Sequence, residues 1–209
     1  MKLIGITQRV DNIEHYSERR DCLDQKWSDF VYELGYIAIP LPNLSKGKAL
    51  KLLDKLPLDA ILLSGGNSIG ELNPLAEDIA PERDEFEKKL IEYAVNKDLP
   101  IIGVCRGMQM INVCFGGGLS PVSAHIATRH SICFQDSAKQ AKRIVNSYHA
   151  WGIKADELAP TLQAIASDDN GCIEAFESKT SRVLGLMWHP EREQEFNEFD
   201  LQFIGQFLK

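Results

Sequence analysis

The chain lacks any long apolar run. A membrane-spanning helix needs about 20 such residues, so no span and no secretory leader is read in these 209 residues. Repeats, low-complexity tracts and polar linkers are absent too, which argues against solenoids and disordered spacers. Positive charge is in deficit, with 23 Lys and Arg against 30 Asp and Glu and a net charge of -7. That balance argues against nucleic acid as a partner. Cysteine is sparse: Cys22, Cys105, Cys114, Cys133 and Cys172 are odd in number and have no paired spacing. They point away from a disulfide framework and toward a reducing compartment, hence a cytoplasmic location. With 44% hydrophobic and 25% charged residues, the chain fits one substantial core and a single domain over residues 1–209.

Apolar strands alternate with amphipathic helices, the pattern of a mostly parallel α/β sheet covered on both faces. Strands are expected at Leu3–Thr7, Ile37–Leu41, Ala60–Leu63 and Leu99–Val104. Helical stripes run through Leu23, Trp27, Phe30, Val31 and Leu34, through Leu50–Leu56, and through Phe86, Leu90, Ala94 and Val95. After Gly116-Gly117-Gly118, read as a helix cap and turn, the strands are shorter and closer together. They are Ser131–Phe134, Arg143–Asn146, Leu162–Ala166, Cys172–Phe176 and Val183–Met187, and some of them should be antiparallel. Phe196, Phe199, Phe203 and Phe207 stripe a last helix, and the ridge reads as core packing.

The segment Gly103-Val104-Cys105-Arg106-Gly107-Met108-Gln109 is the most informative stretch. Met108, Ile111, Asn112 and Phe115 continue at helical spacing, which puts Cys105 on a strand-to-helix corner. A corner that points one side chain outward strains the backbone and leaves little room beside it, and Gly103 and Gly107 supply that room. Helix-start amides and the helix dipole favour a thiolate there. The plainer alternative is a small buried residue at a strand end. Met187-Trp188-His189-Pro190-Glu191 supplies a base and an orienting carboxylate two residues apart after another apolar run. In a parallel sheet Thr7, Ser64, Cys105 and His189 all leave strands at the carboxyl edge, where ligands bind.

The pattern G-x-C-x-G-x-Q, then W-H-P-E, with Ser64-Gly65-Gly66 after an earlier strand, resembles the class I glutamine amidotransferase superfamily over essentially the whole chain. Ile4-Gly5-Ile6-Thr7, Arg106 and Gly35-Tyr36-Ile37-Ala38-Ile39-Pro40-Leu41-Pro42 look most like its stand-alone γ-glutamyl hydrolases, typified by γ-glutamyl-γ-aminobutyrate hydrolase. The resemblance implies a flavodoxin-like fold and cleavage of a γ-glutamyl amide through a thioester, with no metal or organic cofactor. It implies Cys105 as nucleophile, His189 as base and Glu191 as its orienter, with the amides of Gly66 and Arg106 as oxyanion hole. It also implies Gln109, Ser147 and Tyr148 as contacts to the glutamyl group of a small-molecule substrate.

Ile-Thr-Gln-Arg at the start and Glu18-Arg19-Arg20-Asp21 look like a subgroup associated with bacterial capsule and surface-polysaccharide phosphoramidate synthesis. One member type hydrolyses γ-glutamyl-CDP-amidate to glutamate and cytidine diphosphoramidate. Arg9, at the active edge, is then the candidate phosphate contact, with Arg19 and Arg20 opening a helix behind it. A salt-bridged surface is the plainer account of all three. Ser68 stands where the commoner hydrolases have an acidic residue. Three alternatives stay open: a glutaminase delivering ammonia to a synthase, a hydrolase of γ-glutamyl amines in polyamine or γ-aminobutyrate catabolism, and a non-catalytic binding module. Oligomeric state, a homodimer included, is not fixed by the sequence. His125, His130 and Cys133 are close enough in sequence to suggest a metal site but lack a fourth ligand, and a turn with solvated histidines is the simpler expectation.

Overall fold

The computed structural model describes residues 1–135 and 142–209. Strand β1 (Lys2–Thr7) precedes β2 (Arg9–Ile13) and β3 (Glu18–Cys22), which pair only with each other. Helix α1 (Lys26–Glu33), β4 (Tyr36–Leu41), α2 (Lys46–Leu53), β5 (Ala60–Leu63), α3 (Pro81–Lys97), β6 (Ile101–Val104) and α4 (Arg106–Cys114) continue the alternation. The second half holds β7 (Ser120–Pro121), β8 (Ile126–Phe134), β9 (Lys142–Tyr148), β10 (Trp151–Gly152), β11 (Leu162–Asp168), β12 (Ile173–Ser178) and β13 (Val183–Leu186), then α5 (Glu198–Phe207).

One nine-stranded sheet has the order β4-β1-β5-β6-β13-β12-β11-β8-β9. Its first five strands are mutually parallel. From β13 onward every neighbour is antiparallel, which continues the sheet without crossover helices. Burial alternates along the strands as pleating requires. Ile61, Leu63 and Ile101 join Leu53, Phe86, Leu90 and Met108 on one face, while Ala60, Leu62, Ile102 and Val104 join Trp27, Phe30, Trp188 and Ile204 on the other. Strands buried on both faces read as continuous apolar runs, which is why they were legible.

One expectation needs correction. Arg19 and Arg20 do not open a helix but sit on β3, in an antiparallel hairpin closed by Glu14–Tyr16 and a left-handed Ser17 (φ 51°). The hairpin carries almost no apolar alternation and is fastened instead by polar groups. Asn67 accepts from the Val10 amide at 2.8 Å and donates to its carbonyl at 2.9 Å, and Asp21 accepts from the amide and side chain of Asn43. Cys114, the last residue of α4, is exposed. The glycine run does end that helix, with Gly116 at φ 91° and the Gly117 amide on the Asn112 carbonyl. The ridge on α5 packs as expected: Phe134 meets Phe199 and Phe203 edge-on, at 5.4 and 5.7 Å between ring centroids.

Candidate active site

Cys105 is the residue between β6 and α4, at φ 52° and ψ -107°, a conformation that costs an L-residue energy and that the packing around it must hold. Its amide donates to the Leu186 carbonyl at 2.8 Å, and its own carbonyl accepts from Gln109 at 3.0 Å, so the corner is tied to β13 and opens α4. The first turn of α4 sits directly on the neighbouring strands. A Cβ at Gly107 would lie 2.2 Å from the Leu63 carbonyl oxygen, and one at Gly103 2.5 Å from the Gly107 backbone. Those two glycines are therefore required by close approach.

His189 follows β13 at the same sheet edge, and its Nδ1 donates to Glu191 Oε1 at 2.8 Å within a short 3-10 turn begun by Pro190. Both side chains are almost fully buried. Asn146 on β9 clamps the His189 backbone in both directions, accepting from its amide at 2.9 Å and donating to its carbonyl at 2.8 Å. Gly65 lets the imidazole approach: a Cβ there would stand 2.7 Å from His189 Cε1 and 3.6 Å from the Cys105 Cβ.

Burial alone would raise the Cys105 pKa, but the charge and hydrogen bond of His189, the charge of His149 and the Arg106 amide outweigh it and hold the thiol below its ordinary value. For His189 burial pulls the other way. The charge and hydrogen bond of Cys105, with those of Glu191, win and raise it to about 9. The arrangement favours a thiolate–imidazolium pair.

A buried ion cluster beneath the Ser64-Gly65-Gly66 turn fixes the rest. The wholly buried Arg83 donates to the carbonyls of Ser64 at 2.7 Å, Gly65 at 3.1 Å and Gly66 at 2.6 Å, and to Glu87 at 2.8 Å. Glu87 also accepts from Thr7 Oγ1 at 2.7 Å and from the Arg106 guanidinium, whose other arm reaches Asp84. The turn carrying Gly66 and the helix start carrying Arg106 are thus held by one set of carboxylates. Sequence reasoning named Gly66 and Arg106 but missed Arg83 and Glu87, and it placed Asn146 in the segment lining the glutamyl pocket, not on the His189 backbone.

Two cavities meet at this corner. One, of about 210 Å³, is lined by residues including Gly66, Ser68, Cys105, Arg106, Gln109 and Tyr148. The other, of about 270 Å³, is lined by Arg9, Asp24, Trp27, Gly66, His189 and Arg192 among others. Gln109 donates to the Trp151 carbonyl at 2.7 Å from the wall of the first cavity. Tyr148 stands edge-on to His189, at 5.7 Å between rings. Ser147, expected at the glutamyl group, lies outside both linings: its hydroxyl is buried against the His125 carbonyl at 2.7 Å, because alternation on β9 turns it away from Tyr148. Arg9 reaches the second cavity, with its side chain against Gly66 and its Nε on Asp11 at 2.8 Å. Arg19 and Arg20 pair with Glu82 and Glu18 and line neither.

The suggested metal ligands separate. His125 and His130 come together, at 4.7 Å between rings, whereas Cys133 is three residues along β8 from His130 and so on the opposite face. Among the described residues no helix is long and apolar enough to cross a membrane.

Comparison with known proteins identifies the family. Gamma-glutamyl-CDP-amidate hydrolase of Campylobacter jejuni is 35% identical over 199 residues, covering 95% of this chain and 94% of that protein. Gamma-glutamyl-gamma-aminobutyrate hydrolase of Escherichia coli O157:H7 is 28% identical, with 90% and 85% covered. The crystal structure of a glutamine amidotransferase from Thermotoga maritima shares the fold with a TM-score of 0.63 at 16% identity, over 91% of this chain and 76% of that one. The family model described as Peptidase C26 matches residues 2–130 and 120–191. The chain belongs to the Peptidase C26 family and is a C–N hydrolase of the class I glutamine amidotransferase type.

Proposed function

We propose that this chain hydrolyses the γ-glutamyl amide bond of a small γ-glutamyl compound, with γ-glutamyl-CDP-amidate as substrate. The observation that carries the reading is the Cys105 corner itself, with a lowered thiol beside the His189–Glu191 pair and a cavity on either side. The glutamyl group would occupy the cavity walled by Gln109 and Tyr148. The leaving group would occupy the one walled by Arg9.

In this reading the Cys105 sulfur attacks the γ-carbonyl carbon, and the C=O electrons move to oxygen, where the amides of Gly66 and Arg106 receive them. Collapse expels the nitrogen as His189 hands it a proton, leaving a γ-glutamyl thioester. Water then gives a proton back to His189 and its oxygen to the acyl carbon, releasing glutamate and the thiol. Glu191 keeps the imidazole oriented with Nε2 toward the sulfur. The relative named gamma-glutamyl-CDP-amidate hydrolase supports the nucleotide-linked substrate; a place in capsule phosphoramidate synthesis rests on the resemblance of the opening motifs alone.

A mass-spectrometric screen of γ-glutamyl-CDP-amidate, γ-glutamyl amines and glutamine tests the reading. Glutamate together with cytidine diphosphoramidate is the expected product pair. Glutamate from γ-glutamyl amines alone would replace the nucleotide substrate, and ammonia from glutamine only with an added partner would replace the hydrolase by a donor subunit. Arg9→Ala sharpens it, because a diphosphate bound by the guanidinium would lose about 1.5 to 3 kcal/mol. KM for the nucleotide-linked substrate should rise about tenfold or more, and cleavage of a small uncharged γ-glutamyl amide should hardly change. A kcat/KM within twofold of the parent for the nucleotide-linked substrate would remove the phosphate contact.

A further inference from the structure

Buried polar atoms almost always have partners, and groups of them without any point to an ion or water. Among the described residues eight buried side-chain nitrogens and oxygens have no hydrogen-bond partner, and five of the eight lie in one place: both ring nitrogens of His130, Nε2 of His149 and both carboxylate oxygens of Glu174. Glu174, on β12, is completely buried. Its oxygens face His130 Nε2 at 3.3 Å and His149 Nε2 at 3.6 Å without making a hydrogen bond to either. His125 completes the group, and one ligand atom from each of His125, His149 and Glu174 lies within 4.8 Å of the other two.

The imidazoles are prepared in a specific way. Nδ1 of His125 lies 2.7 Å from the Ser123 carbonyl, and Nδ1 of His149 lies 2.9 Å from the Trp151 carbonyl. A carbonyl only accepts, so each Nδ1 carries a hydrogen and each Nε2 is the atom left to bind. A backbone carbonyl fixing the far nitrogen is how metal-binding histidines are held. The site also has a way in. A cleft of about 230 Å³, lined by Ser123, His125, His130, Asp168 and Asn170 among others, opens onto it, and His149 on the other side lines the cavity of Cys105.

We propose that His125, His149 and Glu174 form a binding site for a divalent transition metal of the zinc class, with His130 beside it against Glu174. Two imidazoles and a carboxylate are the donor set that suits such an ion, which would draw them to about 2.0–2.2 Å. His125 Nε2 lies 3.2 Å from Asp168 Oδ2, a contact that an ion bound at that nitrogen would replace. The site uses none of Cys105, His189 or Glu191, so it stands whatever the substrate is.

The test uses the full chain carrying Cys105→Ser, which removes the reactive thiol as a competing ligand, stripped with chelator and titrated with Zn2+ by calorimetry. One equivalent should bind. X-ray absorption of the loaded protein should show a first shell of nitrogen and oxygen only. In the same background Glu174→Gln and His125→Gln should each weaken binding at least tenfold, while the exposed His15→Gln leaves it unchanged. Absence of stoichiometric binding overturns the site, as does sulfur in the first shell or unchanged affinity in both ligand variants. Should the variants fail to fold, the absorption spectrum of the Co2+-loaded Cys105→Ser chain decides alone: d–d bands without thiolate charge transfer support the site, and charge transfer or no spectrum overturns it.

Discussion

Two buried polar clusters flank Cys105, and they are built to opposite specifications. On the parallel side Arg83, Glu87, Arg106, Asp84 and Thr7 interlock, and Glu87 accepts hydrogen bonds from two guanidiniums and a hydroxyl. On the antiparallel side Glu174 faces His130 and His149 at 3.3 and 3.6 Å, long contacts between groups that all titrate. Burial pushes both carboxyls up, yet both are held below their ordinary range, Glu87 by Arg106 and Arg83, and Glu174 by His130 and His149. The contrast separates two uses of buried charge. A closed network of permanent cations holds a turn in place, whereas an open network of titratable groups keeps the capacity to take something in.

The largest expected effect is at the point both clusters approach. Cys105→Ser should lower turnover by a factor of at least about a thousand, with an unchanged circular-dichroism spectrum, since a hydroxyl is a far weaker nucleophile than a thiolate. More than a tenth of parental activity would place the nucleophile elsewhere.

Next comes the contrast between the clusters themselves, measured as unfolding free energy. Glu87→Gln leaves two buried guanidiniums without their shared anion and should destabilise by about 3 to 5 kcal/mol. Glu174→Gln removes a charge that faces titratable histidines at 3.3 and 3.6 Å and should cost less than Glu87→Gln, about 1 to 2 kcal/mol in the metal-free chain. Equal losses in urea unfolding would show that the histidine cluster is as closed as the arginine one.

What the sequence disclosed follows the same division. Parallel strands buried on both faces, the corner at Cys105 and the His189–Glu191 pair were legible, because apolar runs and short local motifs are one-dimensional signals. Both clusters were less so, since their members come from distant segments. A trace of the arginine cluster was nonetheless present: Arg83 and Glu87 lie in register with Leu90 and Ala94, so two charges occupy the buried stripe of α3. For the second cluster, His125 and His130 were noticed but expected as solvated turn residues, whereas His125 is buried and His130 lies on β8, and Cys133 faces the other way. Glu174 reaches them through sheet order alone, from β12 across β11 to β8. The hairpin of β2 and β3 left no trace because its pairing is between backbones and its anchors are Asn67 and Asn43.

A smaller effect tests Glu191 as an orienting group. Glu191→Gln keeps the hydrogen bond to Nδ1 and removes the charge, so kcat should fall about 10- to 100-fold, less than for Cys105→Ser. His189 titrates at about 9 partly because of Glu191, and activity that needs the imidazolium is present below that value and lost as pH rises through it. The variant should therefore lose activity at a lower pH than the parent. Combined with His189→Ala it should add almost nothing, and additive losses would mean that Glu191 acts through some other group.

A third buried carboxylate completes the comparison, because it has neither arginines nor histidines in hydrogen-bonding reach. Among the described residues Asp200 on α5 accepts only from Trp188 Nε1, at 3.3 Å, and burial raises its pKa from 3.8 to about 6. The native state thus holds a proton over the interval in which the unfolded chain has already released it. Stability from this group is full below about pH 3.8 and is lost as pH rises through about 6, so at pH 8 the ionised Asp200 is a cost. Asp200→Asn keeps an acceptor for the indole and abolishes the titration. It should raise stability by about 2 to 3 kcal/mol at pH 8 and change it little at pH 4, because each tenfold difference in proton affinity between the folded and unfolded chains is worth about 1.4 kcal/mol and the shift spans about two of them. Thermal unfolding of both proteins at the two pH values reads the difference directly. A gain that is the same at both would show that packing, and not an unpaired charge, decides the fate of Asp200.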